Sequence, residues 1–148
     1  FIERLRATAP RLDEMTVLVP DELLEQRDDG HWSIKEHIGH LADIEVLHEG
    51  RLEDFHNNVE LRAADVENKA TNAAHHNQYP MYELVYHFRQ VRDTFIKRLL
   101  LLTPEELEQR SLHPRLQQMI TPVDLAYFIG EHDNHHLTAI AQLLTRHS

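Results

Sequence analysis

The chain contains no cysteine, which excludes disulfides and thiolate metal ligands alike and leaves histidine, carboxylate and water as the means of holding a metal. Glycine is scarce, with four in 148 residues, and no segment alternates clearly between apolar and polar positions, so little in the chain points to strands. Positive charge is also short: 15 Lys and Arg stand against 25 Asp and Glu, a formal net charge of -10, and no basic block is present. Nucleic acids and anionic membranes are bound by clustered cations that displace counterions, so neither partner is expected. No apolar stretch reaches the roughly 18 to 20 residues of a membrane span, and the opening Phe1-Ile2-Glu3-Arg4 lacks the apolar run of a signal peptide. A cytoplasmic location is the expectation. The chain does not begin with Met, which leaves the true N-terminus open.

What is present is the composition of an ordinary globular protein, 41% hydrophobic and 27% charged, expected to fold as a single domain over residues 1–148. Its punctuation predicts four long helices and hence an all-α four-helix bundle. The first covers much of Phe1 to Leu18, with a bend expected at Pro10. Ser33 and Glu36 have the spacing of a capping box and open a second helix from about Ile34 towards Phe55. A polar stretch, Asn57 to Tyr79, follows. Pro80 starts a third helix with the apolar stripe Met81, Leu84, Phe88, Val91, Phe95, Leu99 and Leu102, and Thr121-Pro122 supplies the N-cap and first position of a fourth. Two short segments, Pro20 to Arg27 and Pro104 to Arg110, echo each other. A Pro followed by acids is favourable helix-start chemistry, and an internal repeat is the other explanation.

The chain is rich in histidine, with 13 residues, and two of them stand in a telling place. In the fourth helix Leu125, Ile129, His132, His136, Ile140 and Leu143 recur at steps of three and four, the stripe by which an amphipathic helix faces its core. His132 and His136 are the only histidines separated by four residues. At that spacing two side chains project from one helix face about 5 to 6 Å apart at Cβ and can grip one ion. Buried imidazoles otherwise need hydrogen-bond partners, and satisfied core histidines are the plainer explanation.

A reactive metal site needs a third protein ligand, and the second helix offers His37, His40 and His48. Against the stripe Ile34, Ile38, Leu41, Ile44 and Leu52, His37 and His48 fall within about 50° of the centre and His40 about 110° to one side, so periodicity does not select one. Gly39 beside His40 favours that residue, because a mid-helix glycine costs roughly 1 kcal/mol and often marks a close approach. Gly130 stands similarly near His132.

Three stretches together carry a family resemblance: Trp32-Ser33-Ile34-Lys35-Glu36 running into Gly39-His40-Leu41-Ala42-Asp43, then His113-Pro114, then His132-Asp133-Asn134-His135-His136-Leu137-Thr138-Ala139-Ile140. The chain resembles the DinB/YfiT-like proteins over most of its length. That resemblance implies a four-helix bundle, often a homodimer, with three histidines holding a divalent metal such as nickel or zinc, manganese being the further option. By motif position these are His40, His132 and His136. His135 takes a non-ligand role on the same basis, and it lies about 60° from His132 on the side away from His136. His37, His48 and His87 are expected to be ordinary packed or exposed histidines. His75 and His76 fall in the polar segment, where exposure is the default although such a loop can cover a site. Asp43 and Glu131 are the acids nearest in sequence to orient ligand imidazoles. His113-Pro114 reads as a turn.

Three neutral histidines leave coordination positions open, the layout of a reactive site. A metal so held lowers the pKa of water to about 7 and polarises carbonyl or phosphoryl oxygens, giving hydrolysis. It can equally deprotonate a substrate thiol. The resemblance implies the second route, a metal-dependent transferase acting on a small-molecule substrate with a low-molecular-weight thiol as cofactor. The alternatives are a metal-dependent hydrolase, a non-enzymatic metal-binding stress protein and a purely structural helical protein.

Overall fold

Local chemistry sets most of the helix boundaries in the computed structural model, which describes residues 2–147. Helix α1 runs Ile2–Thr16 and continues through Pro10; the predicted start at Phe1 lies outside the described residues. After it comes the one-turn α2, Asp21–Leu24. Helix α3, Ile34–Asp43, begins at the expected capping box, in which the Ser33 hydroxyl accepts from the Glu36 N–H and the Glu36 carboxylate from the Ser33 N–H. The predicted second helix is in fact two, because α3 ends at Asp43 and α4 occupies Glu45–His56. Ile44 between them keeps right-handed torsions, but its ψ of -12° is opened from the α-helical value, and its carbonyl accepts from both Leu47 and His48.

The polar stretch is structured as well, with α5 at Lys69–Ala74 and a 3-10 turn at His76–Gln78 packed on α3. Pro80 precedes α6, Met81–Leu100. The two echoing segments both fold as single turns, the second being α7, Pro104–Leu107. Strands β1, Ser111–His113, and β2, Gln118–Ile120, then pair antiparallel with Leu112 opposite Met119, an addition to the expected all-helical chain. The hairpin is too short to show alternation, and its turn contains Gln117 at a φ of +55°. Helix α8, Pro122–Arg146, starts on a capping box between Thr121 and Asp124. The fold is thus a helical bundle of α1, α3 with α4, α6 and α8, with one small hairpin.

Two apolar clusters fill the bundle. One gathers residues such as Leu12, Ile38, Leu41, Phe88 and Ile140, the other Leu5, Phe55, Phe95, Leu125 and Ile129. Buried polar side chains intervene along every long helix: Thr8 on α1, His40 on α3, Glu45 and His48 on α4, Arg92 on α6, and Asp133 and His136 on α8. A polar layer therefore crosses the bundle, and the candidate histidines lie in it. No helix among the described residues is long and apolar enough to cross a membrane.

Candidate metal centre

The bundle brings His40, His132 and His136 together, one ring nitrogen from each lying within 4.8 Å of the others. His40 Nε2 and His132 Nε2 stand 3.4 Å apart, and His136 Nε2 and His132 Nε2 3.2 Å apart. Ligands about 2.0 to 2.1 Å from a tetrahedrally held ion are separated from each other by about 3.4 Å, so these spacings fit a common divalent ion. His132 and His136 share a face of α8 because they are one helical turn apart. His40 joins them although it lies off the apolar stripe of α3, because α5 and the 3-10 turn cover that flank and α8 closes the other side.

The outer nitrogens decide whether the inner ones are free to bind. His40 Nδ1 lies 3.1 Å from the Thr71 hydroxyl, which donates its single proton to Asp43 Oδ2 at 2.8 Å. The hydroxyl therefore accepts from His40 Nδ1–H, which leaves a lone pair on His40 Nε2. Asp43 Oδ2 also accepts from His76 Nε2 at 2.8 Å. His136 Nδ1 meets His37 Nδ1 at 2.9 Å; when His136 donates there, its Nε2 also carries a lone pair. His132 Nδ1 is buried without a partner, as are both ring nitrogens of the neighbouring His48. The Trp32 ring lies 4.9 Å from His40 and 6.2 Å from His136, centre to centre, and closes the side of the cluster beside α3.

Burial dominates the electrostatics. It lowers His40 to a pKa of about 4, helped by its neighbour His132, and His136 to about 2, helped by His132, His40 and His37. His132 is lowered too, chiefly by burial. All three are neutral at pH 7, the form in which imidazole binds metals. Asp43 is held below the ordinary carboxylate value, since hydrogen bonds from His76 and Thr71 outweigh its burial. Three inward lone pairs, held neutral and oriented from behind at His40 and His136, are a donor set that suits a divalent transition metal.

His135 is exposed on α8 with its ring edge against His136, outside the nitrogen cluster. His37 is no ordinary packed residue but the hydrogen-bond partner of His136. His76 is buried rather than exposed, and it explains Gly39: a Cβ there would overlap the His76 ring. The approach marked by that glycine is thus a side chain. Gly130 instead meets the Arg4 side chain of α1, 3.0 Å from where its Cβ would stand. Asp43 reaches His40 through Thr71, whereas Glu131 is exposed and bonded to Arg4 and Tyr127. His113 shapes the hairpin turn, its Nδ1 accepting from the N–H groups of Arg115 and Leu116. Thr71 and Arg92 escaped the sequence reading altogether. A lone threonine in a polar segment carries no pattern, and Arg92 sits next to the Val91 position of an apolar stripe, where a surface arginine is the default.

Residues 3–140 match the family model of the DinB superfamily. No curated protein matches the sequence. Among solved structures the chain is similar to YfiT from Bacillus subtilis, described as a probable metal-dependent hydrolase with an unusual four-helix bundle topology. The TM-score is 0.77 at 20% identity, covering 98% of this chain and 84% of that one, and at such identity the likeness is one of fold.

Proposed function

The chain belongs to the DinB superfamily, and from that premise we propose that His40, His132 and His136 hold a divalent metal ion and that the protein is a metal-dependent enzyme acting on a small molecule. The observation that carries this reading is the convergence of three neutral imidazole nitrogens in the polar layer of the bundle. A divalent ion bound there supplies a Lewis acid that lowers the pKa of a water or a small thiol and polarises a carbonyl or phosphoryl oxygen. Nickel and zinc suit such an all-imidazole site better than manganese, which prefers oxygen ligands.

The chain's own residues do the rest. Thr71, anchored on Asp43, fixes the His40 tautomer and ring plane, and His37 does the same for His136. Trp32 covers the imidazoles of His40 and His136 and limits access of water from that side. Among the described residues no carboxylate is hydrogen-bonded to the three inward nitrogens, and the one lone pair of neutral His37 is taken up by His136 Nδ1–H, so His37 orients the cluster rather than accepting a proton from substrate. Hydrolysis is the first reading, supported by the fold shared with YfiT and by its need for water alone. Thiol transfer is the second, supported by the absence of cysteine, which requires that any thiolate come from a small molecule.

Elemental analysis of the untagged protein beside His40→Ala and His136→Ala tests the metal. One ion per chain in the wild type and none in either variant is expected. Wild-type protein that is folded yet cannot be loaded with nickel, zinc or manganese overturns the reading. Cobalt-substituted protein then separates the two chemistries: a spectral change on adding a small thiol favours transfer, and ester or amide turnover without thiol favours hydrolysis.

A further inference from the structure

A cavity of about 520 Å³ opens beside the histidine cluster between α4, α8 and the hairpin. His132 is one of its lining residues, so the cavity reaches the proposed metal centre directly. Ile44, Leu47, Leu125 and Ile129 make its walls apolar, and the volume is that of pockets which enclose small ligands.

Its charges run against those of the chain. The protein carries a formal net charge of -10, yet no Asp or Glu lines this cavity, while Arg51 and Arg115 both do. Arg51 is 7% exposed. Its Nε donates to the Arg62 carbonyl at 2.9 Å, and among the described residues it forms no salt bridge. Asp54, whose charge attracts Arg51 without a hydrogen bond to it, is bonded by Arg62 through its main-chain N–H and two guanidinium nitrogens. A guanidinium removed from water without an anion is costly, and a ligand carboxylate relieves that cost with a paired hydrogen bond. His48, 4% exposed, lines the same cavity with both ring nitrogens unpartnered, so polar capacity is also unused near His132.

We propose that this cavity is the substrate pocket of the histidine centre and that it selects small molecules with an apolar body and a carboxylate, the carboxylate seated on Arg51. The apolar body lies along Ile44, Leu47, Leu125 and Ile129, and His48 and His132 line the same cavity. This assignment rests on the metal reading above for its chemistry, but not for the anion contact.

The probes are 4-phenylbutanoate and its uncharged analogue 4-phenylbutan-1-ol, titrated calorimetrically into wild-type, Arg51→Gln and His136→Ala protein, each with and without zinc. The wild type is expected to bind the carboxylate more tightly than the alcohol. Arg51→Gln is expected to weaken the carboxylate about tenfold or more and leave the alcohol within about twofold, a charge-assisted pair being lost. Carboxylate affinity unchanged in a folded, zinc-stoichiometric Arg51→Gln overturns the proposal, as does carboxylate binding that disappears with the zinc, since the anion then sits on the metal. Wild type that binds no zinc but retains Arg51-dependent carboxylate binding sinks the metal reading alone. Should Arg51→Gln fail to fold, Ala64→Phe, an exposed position on the cavity rim, replaces it. Loss of both probes in that variant is expected, and undiminished binding of both overturns the pocket.

Discussion

Two buried polar clusters meet at adjacent residues of α8, one at Asp133 and one at His132 and His136, and they are built on opposite terms. Around Asp133 the charges are matched. Arg92 binds both Asp133 oxygens at 2.6 and 2.9 Å, donates from Nε to Glu45 at 2.7 Å and reaches the Leu5 carbonyl, while Thr8 donates to Asp133 at 2.8 Å. One atom there, Glu45 Oε2, is left without a partner, and burial raises the pKa of that carboxyl to about 7. Around the histidines the three imidazoles are neutral at pH 7, their inward nitrogens face a common point, and three further ring nitrogens have no protein partner. The first cluster ties α1, α4, α6 and α8 together. The second leaves ring nitrogens without a protein partner, as the proposed metal site requires, and so differs from the matched polar core beside it.

The largest effect should come from breaking the matched cluster. Arg92→Met strands Asp133 and Glu45 in the core, and a loss of about 3 to 5 kcal/mol in urea unfolding is expected. His136→Ala should unfold at a clearly higher urea concentration than Arg92→Met; equal destabilisation would abolish the distinction.

On the histidine side Thr71→Val removes the hydroxyl that holds His40 Nδ1 without changing side-chain shape much. Metal affinity, measured by competition with a chelator, is expected to fall about 10- to 100-fold. Affinity within about twofold of wild type would show that His40 needs no such support.

His40 and His37 are lowered to about 4 in the folded state, both mainly by burial, whereas unfolded imidazoles titrate near 6.5. Between these values the unfolded chain binds more protons at these imidazoles, so their contribution to metal-free stability should be intact above pH 6.5 and fall as the pH drops towards 4, with Glu45, raised to about 7, opposing them and best removed as Glu45→Gln. Denaturant midpoints measured across that window check the sign; a midpoint that rises on acidification contradicts neutral buried imidazoles. The smallest effect belongs to His135→Ala, which should keep its metal stoichiometry because that side chain lies outside the cluster.

The helices were legible wherever their causes are local. Ser33 with Glu36, Thr121 with Asp124 and the stripe from Leu125 to Leu143 are interactions over three or four residues, and the structure repeats them. The His132 and His136 pair was legible for the same reason. Local pattern failed at Ile44, where one predicted helix becomes two, and at β1 and β2, which are too short to show a period.

Local pattern in the chain specifies the helical stripes, their caps and one edge of the candidate centre, because each depends on neighbours within a turn or so of backbone. Helix periodicity leaves His37, His40 and His48 open, and it is the family resemblance that names His40; the folded chain adds the contact of His40 with His132, the placement of Thr71 and Asp43 behind His40, and the entry of Arg51 into an acid-free cavity. His40 lies 31 residues from Thr71 and 92 from His132, and no local periodicity reports on which helix flank a distant segment will cover.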